Sequence, residues 1–456
     1  MRLAIQQLTE EPSCDHNQKK TAEQKKNACK KPTPGATAGG CAFDGAQIVL
    51  VPIADAAHII HGPMTCTGQS YNNRGTRTDK GSFHQYGFTT DLSELDIVFG
   101  AEKKLKESVR YVVEKFSPKA VFIYSTCVTA MSGEDIGAVS KEMQEELKVP
   151  VIPVDSPGFS GSKNLGNKFA GFSLINHVIG TREPEKIPMF PINLIGEYNI
   201  AGELYQVEPL FEELGITLFS KMTGNAGYDE ICHAHRSKLS VVICSQALIS
   251  LARQMKDKYE IPFMEGSFYG MGETRKTLVK IAENLGSDIL KKRAEELCDR
   301  KEKETYEKLA PYLPILKGKR VLVYTGGVKS WSVLNQLEEL GMEVVKSSTR
   351  KSTEDDIARI LEYFEGNEDG LMPKGDGKTI LNLMKQYDAH LLLAGGRNMY
   401  NAMKGKVPFV DVNQERHFAF AGYDGTLELA RRLVYTLTSP VFEVTTRPAP
   451  WEVSFG

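Results

Sequence analysis

The sequence predicts an α/β protein of three Rossmann-like modules, with mainly parallel sheets around a central cleft. The first observation behind this prediction is that short apolar runs alternate with amphipathic helical segments along the chain. The second is that this alternation starts afresh near residues 189 and 312. The third is length, because 456 residues exceed what a single hydrophobic core normally serves.

The composition excludes several classes of protein. With 25% charged residues and a net charge of −2, the chain gives no general reason to bind nucleic acid or an anionic membrane. It has no apolar run of about 18 residues, the length that a transmembrane helix needs. Acidic residues in "MRLAIQQLTEEPSC" occupy the place of a signal peptide's apolar core, so we expect a cytoplasmic protein. Its 8 cysteines should then stay reduced and serve packing, catalysis or metal binding.

The first module is expected at residues 41–188, after an irregular, lysine-rich arm at 1–40. In "AEKKLKESVRYVVEKF" the helical period brings five apolar residues to one face: Leu105, Val109, Val112, Val113 and Phe116. The strand "AVFIY", the helix "EDIGAVSKEMQEELKV" and the strand "VPVIPV" follow. This order is typical of a βαβ unit.

Two further modules follow the same pattern, at residues 189–311 and 312–438, with a C-terminal tail at 439–456. The second contains the strands "FPINLIG", "SVVIC" and "IPFME", the helices "GELYQVEPLFEELG" and "SQALISLARQMKDKY", and a charged helical stretch. The third contains "KRVLVYTGG", the helix "VKSWSVLNQLEELG", "MEVV", "AHLLLAGG", a helix from Asn398, and "VPFVDV".

Several reactive or glycine-rich positions directly follow predicted strands. In parallel sheets, ligands collect at the carboxyl ends of the strands, where the loops converge. The positions at these ends are Cys127, Cys244, Gly326, Gly327, Gly395 and Gly396. Their shared placement predicts that this edge carries the function.

Three cysteines, Cys41, Cys66 and Cys127, lie beside glycine or hydroxyl residues in the first module. Residue chemistry leaves two interpretations open: they are small buried hydrophobes, or they are three ligands of an iron–sulfur cluster whose fourth position belongs to another group. Cys244 opens a helix after a strand, so nucleophile, cluster ligand and inert core residue all remain open.

The glycine pairs in "YTGG" and "LAGGR" predict anion-binding loops, because glycine lets backbone N–H groups approach a ligand. Lys329 and Arg397 follow these loops and are either carboxylate-binding groups or solvated surface. Cys232, His233 and His235 are too crowded in one turn for a structural zinc site, and we interpret them as helix surface.

Taken together, "GGCAFDGA", "HGPMTC", "YSTC", "VVICSQALISLARQMKDKYEIPFMEGSFYG", "YTGGVKSW" and "LAGGRNMY" resemble segments of the nitrogenase component 1 superfamily. The resemblance implies that Cys41, Cys66 and Cys127 ligate a [4Fe-4S] cluster shared with a β-type subunit. It implies that Cys244 binds one end of a larger iron–sulfur group in the cleft. It also implies that the glycine loops wrap that group and its homocitrate, with Arg74, Lys329 and Arg397 at basic positions.

Departures from the catalytic subunits indicate which branch of the family the chain resembles. Where those subunits carry a histidine pair, this sequence has Asn167 and Lys168. Where they carry a second histidine ligand before "GYDG", it has Asn413 or a neighbour, while His417 lies out of register. The chain is therefore similar to the scaffold subunits on which the iron–molybdenum cofactor matures.

A scaffold of this kind implies a particular set of partners. They are the β-like subunit NifN in an α₂β₂ heterotetramer, NifB as donor of an iron–sulfur precursor, the Fe protein, and the apo nitrogenase component 1 as acceptor. Molybdenum and homocitrate are inserted before the cofactor is passed on. Basic side chains would guide the anionic cargo, and to Arg74, Lys329 and Arg397 we add Lys163 and Lys168 from their position alone.

Three alternatives stay open. The first is a divergent catalytic α subunit, the second is the equivalent scaffold of a vanadium system, and the third is an α/β ligand-binding or sensor module with no cluster. We assign no catalytic residue and expect at most weak nitrogenase-like reductase activity.

Overall fold

The computed structural model describes residues 40–71, 76–243, 245–327, 329–349, 352–372, 375–413 and 416–448. The predicted arm, apart from Gly40, and the last part of the predicted tail lie outside these residues. So do two candidate site residues, Arg74 and Cys244.

The helices and strands alternate through the described chain. The helices are α1 Ala42–Leu50, α2 Met64–Tyr71, α3 Glu94–Phe99, α4 Glu102–Phe116, α5 Cys127–Ser132, α6 Ile136–Leu147, α7 Lys163–His177, α8 Glu203–Leu214, α9 Tyr228–Cys232, α10 Ser245–Tyr259, α11 Met271–Asn284, α12 Asp288–Leu309, α13 Leu313–Leu316, α14 Lys329–Glu339, α15 Glu354–Tyr363, α16 Gly377–Gln386, α17 Met399–Gly405, α18 Gly422–Leu437 and α19 Pro440–Thr446. The strands are β1 Ala57–His61, β2 Phe88–Thr89, β3 Val121–Ser125, β4 Val151–Val154, β5 Pro191–Ile195, β6 Thr217–Met222, β7 Leu239–Val242, β8 Phe263–Glu265, β9 Arg320–Tyr324, β10 Glu343–Ser348, β11 Leu371–Met372, β12 Leu391–Ala394 and β13 Phe409–Asp411.

Three parallel sheets organise these elements. Their strand orders are β2-β1-β3-β4, β6-β5-β7-β8 and β11-β10-β9-β12-β13. Each sheet has helices between its strands, as parallel pairing requires. The predicted fold class, α/β with three Rossmann-like modules, is confirmed.

Helix α4 shows how local pattern and packing agree. Leu105, Val109 and Val112 are buried against the first sheet's core, as their spacing predicts. The helix ends at Phe116 because Ser117 adopts the left-handed conformation and its N–H bonds to the Val113 carbonyl.

By internal packing the described chain forms two compact units. One runs from the first described residue to Ile200 and includes Phe211–Glu265, so it holds the first two sheets. The other contains Ala201–Leu210 and the described residues from Gly266 onward, with the third sheet. The module boundaries at 188 and 311 stay a prediction. No helix in the described part of the chain has the length and apolar character needed to cross a bilayer.

A neutral histidine lies in the core of the first sheet. His58 is fully buried and stacked on Phe122. Its Nε2 lies 3.2 Å from the Ile53 carbonyl, which only accepts, so Nδ1 accepts from the Tyr124 hydroxyl at 2.8 Å. Burial lowers the pKa of His58 from 6.5 to about 4.

This histidine should make the first unit sensitive to acid. As pH falls from 6.5 towards about 4, His58 binds a proton in the unfolded chain but stays neutral in the folded protein. The free energy of unfolding therefore decreases. The slope is about 1.4 kcal/mol per pH unit in that window. His58→Gln should therefore lose less stability than the wild type between pH 7 and pH 5, by about 2 kcal/mol. Urea unfolding followed by circular dichroism measures this, with exposed His417→Gln as control; equal losses in all three proteins would contradict it.

Candidate functional site: three converging cysteines and a polar sheet edge

Two of the three cysteines follow neighbouring strands of the first sheet. Strands β1 and β3 pair in parallel with His61 opposite Ser125, so Cys66 and Cys127 follow the same edge. The hydroxyls of Thr126 and Thr129 both donate to the His61 carbonyl, at 3.0 and 3.2 Å. These bonds tie the end of β1 to the segment on either side of Cys127.

The third cysteine arrives from a different direction. Cys41 is the residue before helix α1 and forms a single antiparallel bridge with Ser162, just before helix α7. Helix α1 packs closely on α7, where Gly166 leaves no room for a β-carbon beside the Ala42 carbonyl. The position of Cys41 therefore depends on the contact between these two helices.

The sulfurs of Cys41 and Cys127 both lie close to the backbone of Gly158. A β-carbon built on Gly158 would lie 2.9 Å from the sulfur of Cys127 and 3.1 Å from the sulfur of Cys41. The two sulfurs can be no further apart than the sum of these distances. Gly158 follows β4, the strand next to β3, and sequence reasoning missed it because a lone glycine in "SPGFSG" gives no local signal.

The electrostatics place Cys66 in the same group. Burial, and then repulsion from the Cys127 and Cys41 thiolates, raise the pKa of Cys66 from 9.0 to about 11. Such repulsion needs the three sulfurs to be near one another. A cation would relieve it, and thiolate rather than thiol is the form that binds metal.

The sulfurs of Cys41 and Cys127 stand close enough together to ligate one cluster. Among the residues that the structure describes, no three His, Cys, Asp or Glu side chains are placed to hold one metal ion. A cluster spreads its thiolates over several iron atoms, so its ligands stand further apart than those of one ion. None of the three cysteines forms a disulfide, and all three are half-buried.

A buried polar pair supports β1 behind Cys66. His61 Nδ1 forms a hydrogen bond of 3.1 Å with the Thr90 hydroxyl. The other ring nitrogen, Nε2, lies 3.8 Å from the Glu134 carboxylate. Burial lowers the pKa of His61 to about 4, so at neutral pH the imidazole is uncharged and the contact is not an ion pair. The Glu134 carboxylate instead accepts from the Ala101 N–H at 2.7 Å.

In the second unit, the predicted glycine loops lie at one edge of the third sheet. Strands β9, β12 and β13 are neighbours and parallel, so Gly326, Gly395 and Asn413 follow the same edge. The Asn413 side chain packs on Gly395, whose β-carbon position lies 3.2 Å from Asn413 Nδ2. Gly327 has a φ of 64°, and its β-carbon position has no atom within 4 Å; this backbone conformation also occurs in anion-binding loops.

The basic residues of this edge differ in their surroundings. Lys329, at the first position of α14, donates to the Val412 carbonyl at 3.2 Å and lies over the Tyr269 ring. Arg397, between Gly396 and α17, is exposed. The structure thus brings Lys329, Gly395 and Asn413 together, with Arg397 on the loop beside them.

A buried ion pair that the sequence did not reveal anchors this edge. Arg416 Nε donates to Glu203 Oε1 at 2.6 Å, and both side chains are almost fully buried. Arg416 also donates to the Asn413 carbonyl, so the pair fixes the segment that carries Asn413. The two residues are 213 positions apart, and no local pattern marks them as partners.

The remaining basic candidates, Lys163 and Lys168, both lie on α7. Lys163 Nζ is 2.8 Å from Asp44 Oδ2, close to Cys41 in the first unit. Lys168 is half-buried, and Asn167 beside it is buried.

Comparisons with known proteins show what this chain is similar to. A family description, nitrogenase component 1 type oxidoreductase, matches residues 41–438. The chain is 51% identical to the nitrogenase iron-molybdenum cofactor biosynthesis protein NifE of Nostoc sp., over 99% of this chain and 94% of that protein. It is 47% identical to the protein of the same name from Klebsiella pneumoniae, over 97% and 98%. The solved structure titled "Nitrogenase Cp1 at pH 5" superposes with a TM-score of 0.81 at 25% identity, covering 95% of this chain and 98% of that one.

Cys66 should react slowly with alkylating reagents in the metal-free protein. Because only the thiolate reacts, a pKa of about 11 means that its rate should rise roughly tenfold per pH unit from pH 8 to pH 10. Iodoacetamide labelling with peptide mass spectrometry measures it. A rate that levels off by pH 10 would show that neither burial nor the neighbouring thiols raise this pKa.

Gly158→Ala should disrupt the site formed by the three cysteines, since the added methyl group would clash with the sulfurs of Cys41 and Cys127. We expect the anaerobically purified protein to lose most of the iron that Cys41→Ser also loses. Gly68→Ala is the matched control, because a β-carbon there meets open space two residues from Cys66. Equal iron in both alanine variants would refute the convergence of the thiols.

Proposed function

Since this chain belongs to the nitrogenase component 1 family, we propose that it is a scaffold for maturation of the iron–molybdenum cofactor. On this proposal the chain receives an iron–sulfur precursor, supports insertion of molybdenum and homocitrate, and passes the product to the apo catalytic protein. The names of its relatives support the biosynthetic role. The observation that carries the choice of a scaffold over a catalytic subunit is that Asn413, which packs on Gly395, or a neighbour stands in the region where the catalytic subunits carry a second histidine ligand.

The three converging cysteines would hold a [4Fe-4S] cluster, with the fourth thiolate from the partner subunit. When bound, this cluster supplies one-electron transfer. The chain's own part is to bind it through Cys41, Cys66 and Cys127 and to keep its surroundings rigid. The Thr126 and Thr129 hydroxyls on the His61 carbonyl serve that second purpose.

The precursor is the cargo, and Cys244 would anchor it. Homocitrate carries three carboxylates, which suit guanidinium and ammonium groups, so Arg74, Arg397 and Lys329 are its proposed contacts. The Gly326–Gly327 and Gly395–Gly396 loops would offer backbone N–H groups to the anionic cargo. An amide such as that of Asn413 is a weaker ligand for iron than imidazole or thiolate, which suits temporary binding.

A partner subunit would cover the exposed apolar residues near the cysteines. Met64 precedes Cys66, Met131 follows Cys127 on α5, and Val98 and Phe99 end the neighbouring helix α3; all four are exposed. Exposed large apolar side chains in one region commonly mark a protein contact. We propose NifN as the partner subunit here, the Fe protein as reductase, NifB as precursor donor, and apo nitrogenase component 1 as acceptor.

Two cysteine variants of the anaerobically co-purified complex should separate the two proposed sites. Cys41→Ala should lose the electron paramagnetic resonance signal of the interface cluster and about four iron atoms per chain. Cys244→Ala should keep that signal but fail to retain precursor and to activate the apo acceptor. If Cys244→Ala matures and transfers cofactor normally, the anchor is elsewhere.

The main alternative, a divergent catalytic α subunit, predicts a different result. With Fe protein and ATP, a catalytic subunit should reduce acetylene robustly, whereas a scaffold should show only weak reduction. Metal analysis of the matured cargo, molybdenum against vanadium, distinguishes the two kinds of scaffold.

A further inference from the structure

The ion pair between Asp44 and Lys163 lies beside the cysteines and is mostly shielded from water. Lys163 Nζ is 2.8 Å from Asp44 Oδ2, and the two side chains are 19% and 9% exposed. Exposed pairs contribute little to stability, but removing one member of a shielded pair leaves an uncompensated charge and is costly. This pair therefore constrains the elements that carry it.

Those elements are the two that determine where Cys41 lies. Asp44 is in the first turn of α1, directly after Cys41, and Lys163 opens α7, directly after Ser162, the bridge partner of Cys41. The pair closes over the backbone of Gly40, where a β-carbon would overlap both the Asp44 carboxylate and the Lys163 side chain. Gly40 has a φ of 106°, which other residues rarely adopt.

The same segment sets the distance between two thiols. Gly158, which touches the sulfurs of Cys41 and Cys127, lies in the short helical turn Gly158–Ser160 that leads into α7. On the other side of the pair, the Lys163 carbonyl packs against Gly45 of α1. If α7 shifts relative to α1, Cys41 moves relative to Cys127.

We infer that Asp44 and Lys163 are a positioning pair for the cysteine site, holding Cys41 in register with Cys127. This inference assigns Lys163 to the cysteine site. Its position in the sequence had instead predicted a role in guiding the cargo. The inference rests on the proposed cluster at Cys41, Cys66 and Cys127. It adds that a salt bridge outside the ligand set determines how firmly that cluster is held.

The test uses the anaerobically co-purified complex and measures iron loss to a ferrous chelator together with the resonance signal of the reduced interface cluster. Lys163→Met and Asp44→Asn should each accelerate iron loss roughly tenfold and broaden the signal, since lost outer contacts typically weaken metal binding by such factors. Lys163→Arg should restore most of the wild-type behaviour. Lys106→Met breaks a pair of the same 2.8 Å length with Glu142 and should change nothing.

A pure charge effect gives a different pattern. If the pair acted only through its field on the cluster, Lys163→Met and Asp44→Asn would shift the reduction potential in opposite directions, and the double variant would cancel them. A positioning pair gives losses of the same sign in both single variants. Where a single variant fails to assemble, the double variant Lys163→Met with Asp44→Asn removes the unpaired charge and is measured instead.

Three results would overturn the inference. They are unchanged iron loss and signal in Lys163→Met, opposite shifts of the cluster's reduction potential in Lys163→Met and Asp44→Asn, or failed precursor loading by Lys163→Met with an intact interface cluster. The last would return Lys163 to cargo guidance. Cys41→Ala measured alongside keeps the two proposals apart. If Cys41→Ala retains the signal, the proposed cluster site itself is wrong; if it loses the signal and Lys163→Met does not, only the positioning pair is wrong.

Discussion

The close approach of helix α1 to helix α7 is the contact on which the cysteine site depends. The helices touch through backbone, because Gly45 packs on the Lys163 carbonyl and Gly166 on the Ala42 carbonyl. A side chain at either glycine would separate them and carry Cys41 away from Cys127. Cys66 and Cys127 need no such device, since both follow neighbouring parallel strands whose ends meet at one edge. The site thus combines two ligands placed by a sheet with one placed by a helix pair.

The two compact units carry different chemistry, and each follows from its residue types. The first unit presents thiols, soft ligands suited to iron–sulfur clusters, with the uncharged His61 and the Asp44–Lys163 ion pair nearby. The second presents a lysine, an exposed arginine, an amide and glycine backbone, which suit anions. Apart from Cys41, the groups in both units stand after strand ends, so the same edge of a parallel sheet serves two kinds of ligand.

Much of this fold was predictable from sequence, and the omissions have physical causes. Helix α4 has one buried and one solvated face, so its period is visible. Helix α7 was not recognised because it buries residues on most of its circumference, including Gly166, Asn167 and Phe169. The first turn of helix α11 is capped by a residue distant in the sequence, because the N–H groups of Met271 and Gly272 donate to the Glu339 carboxylate at 2.7 Å. Strand β6 was missed because Ser220 and Lys221, both buried, interrupt its apolar pattern.

The site itself was predictable only where chemistry is written in single residues. Cysteines and glycine pairs can be seen in a sequence, and the structure brings Cys41, Cys66 and Cys127 together. Gly158, the Asp44–Lys163 pair and the Arg416–Glu203 pair act through contacts between distant segments, so no window of sequence contains them. Such outer contacts also bear on release. Under the proposed scaffold role, the hydrogen bond from Arg416 holds the Asn413 backbone in place, whereas the Asn413 amide would bind iron only weakly. A rigid edge would therefore not imply tight binding of the cargo. Under the same proposal, attraction to Lys329 and Arg397 would act over a longer range and be weakened by salt, so it would speed loading without fixing one position. A catalytic site needs its cofactor fixed over many turnovers, whereas an edge built in this way would suit the cargo that the proposed scaffold receives, modifies and passes on.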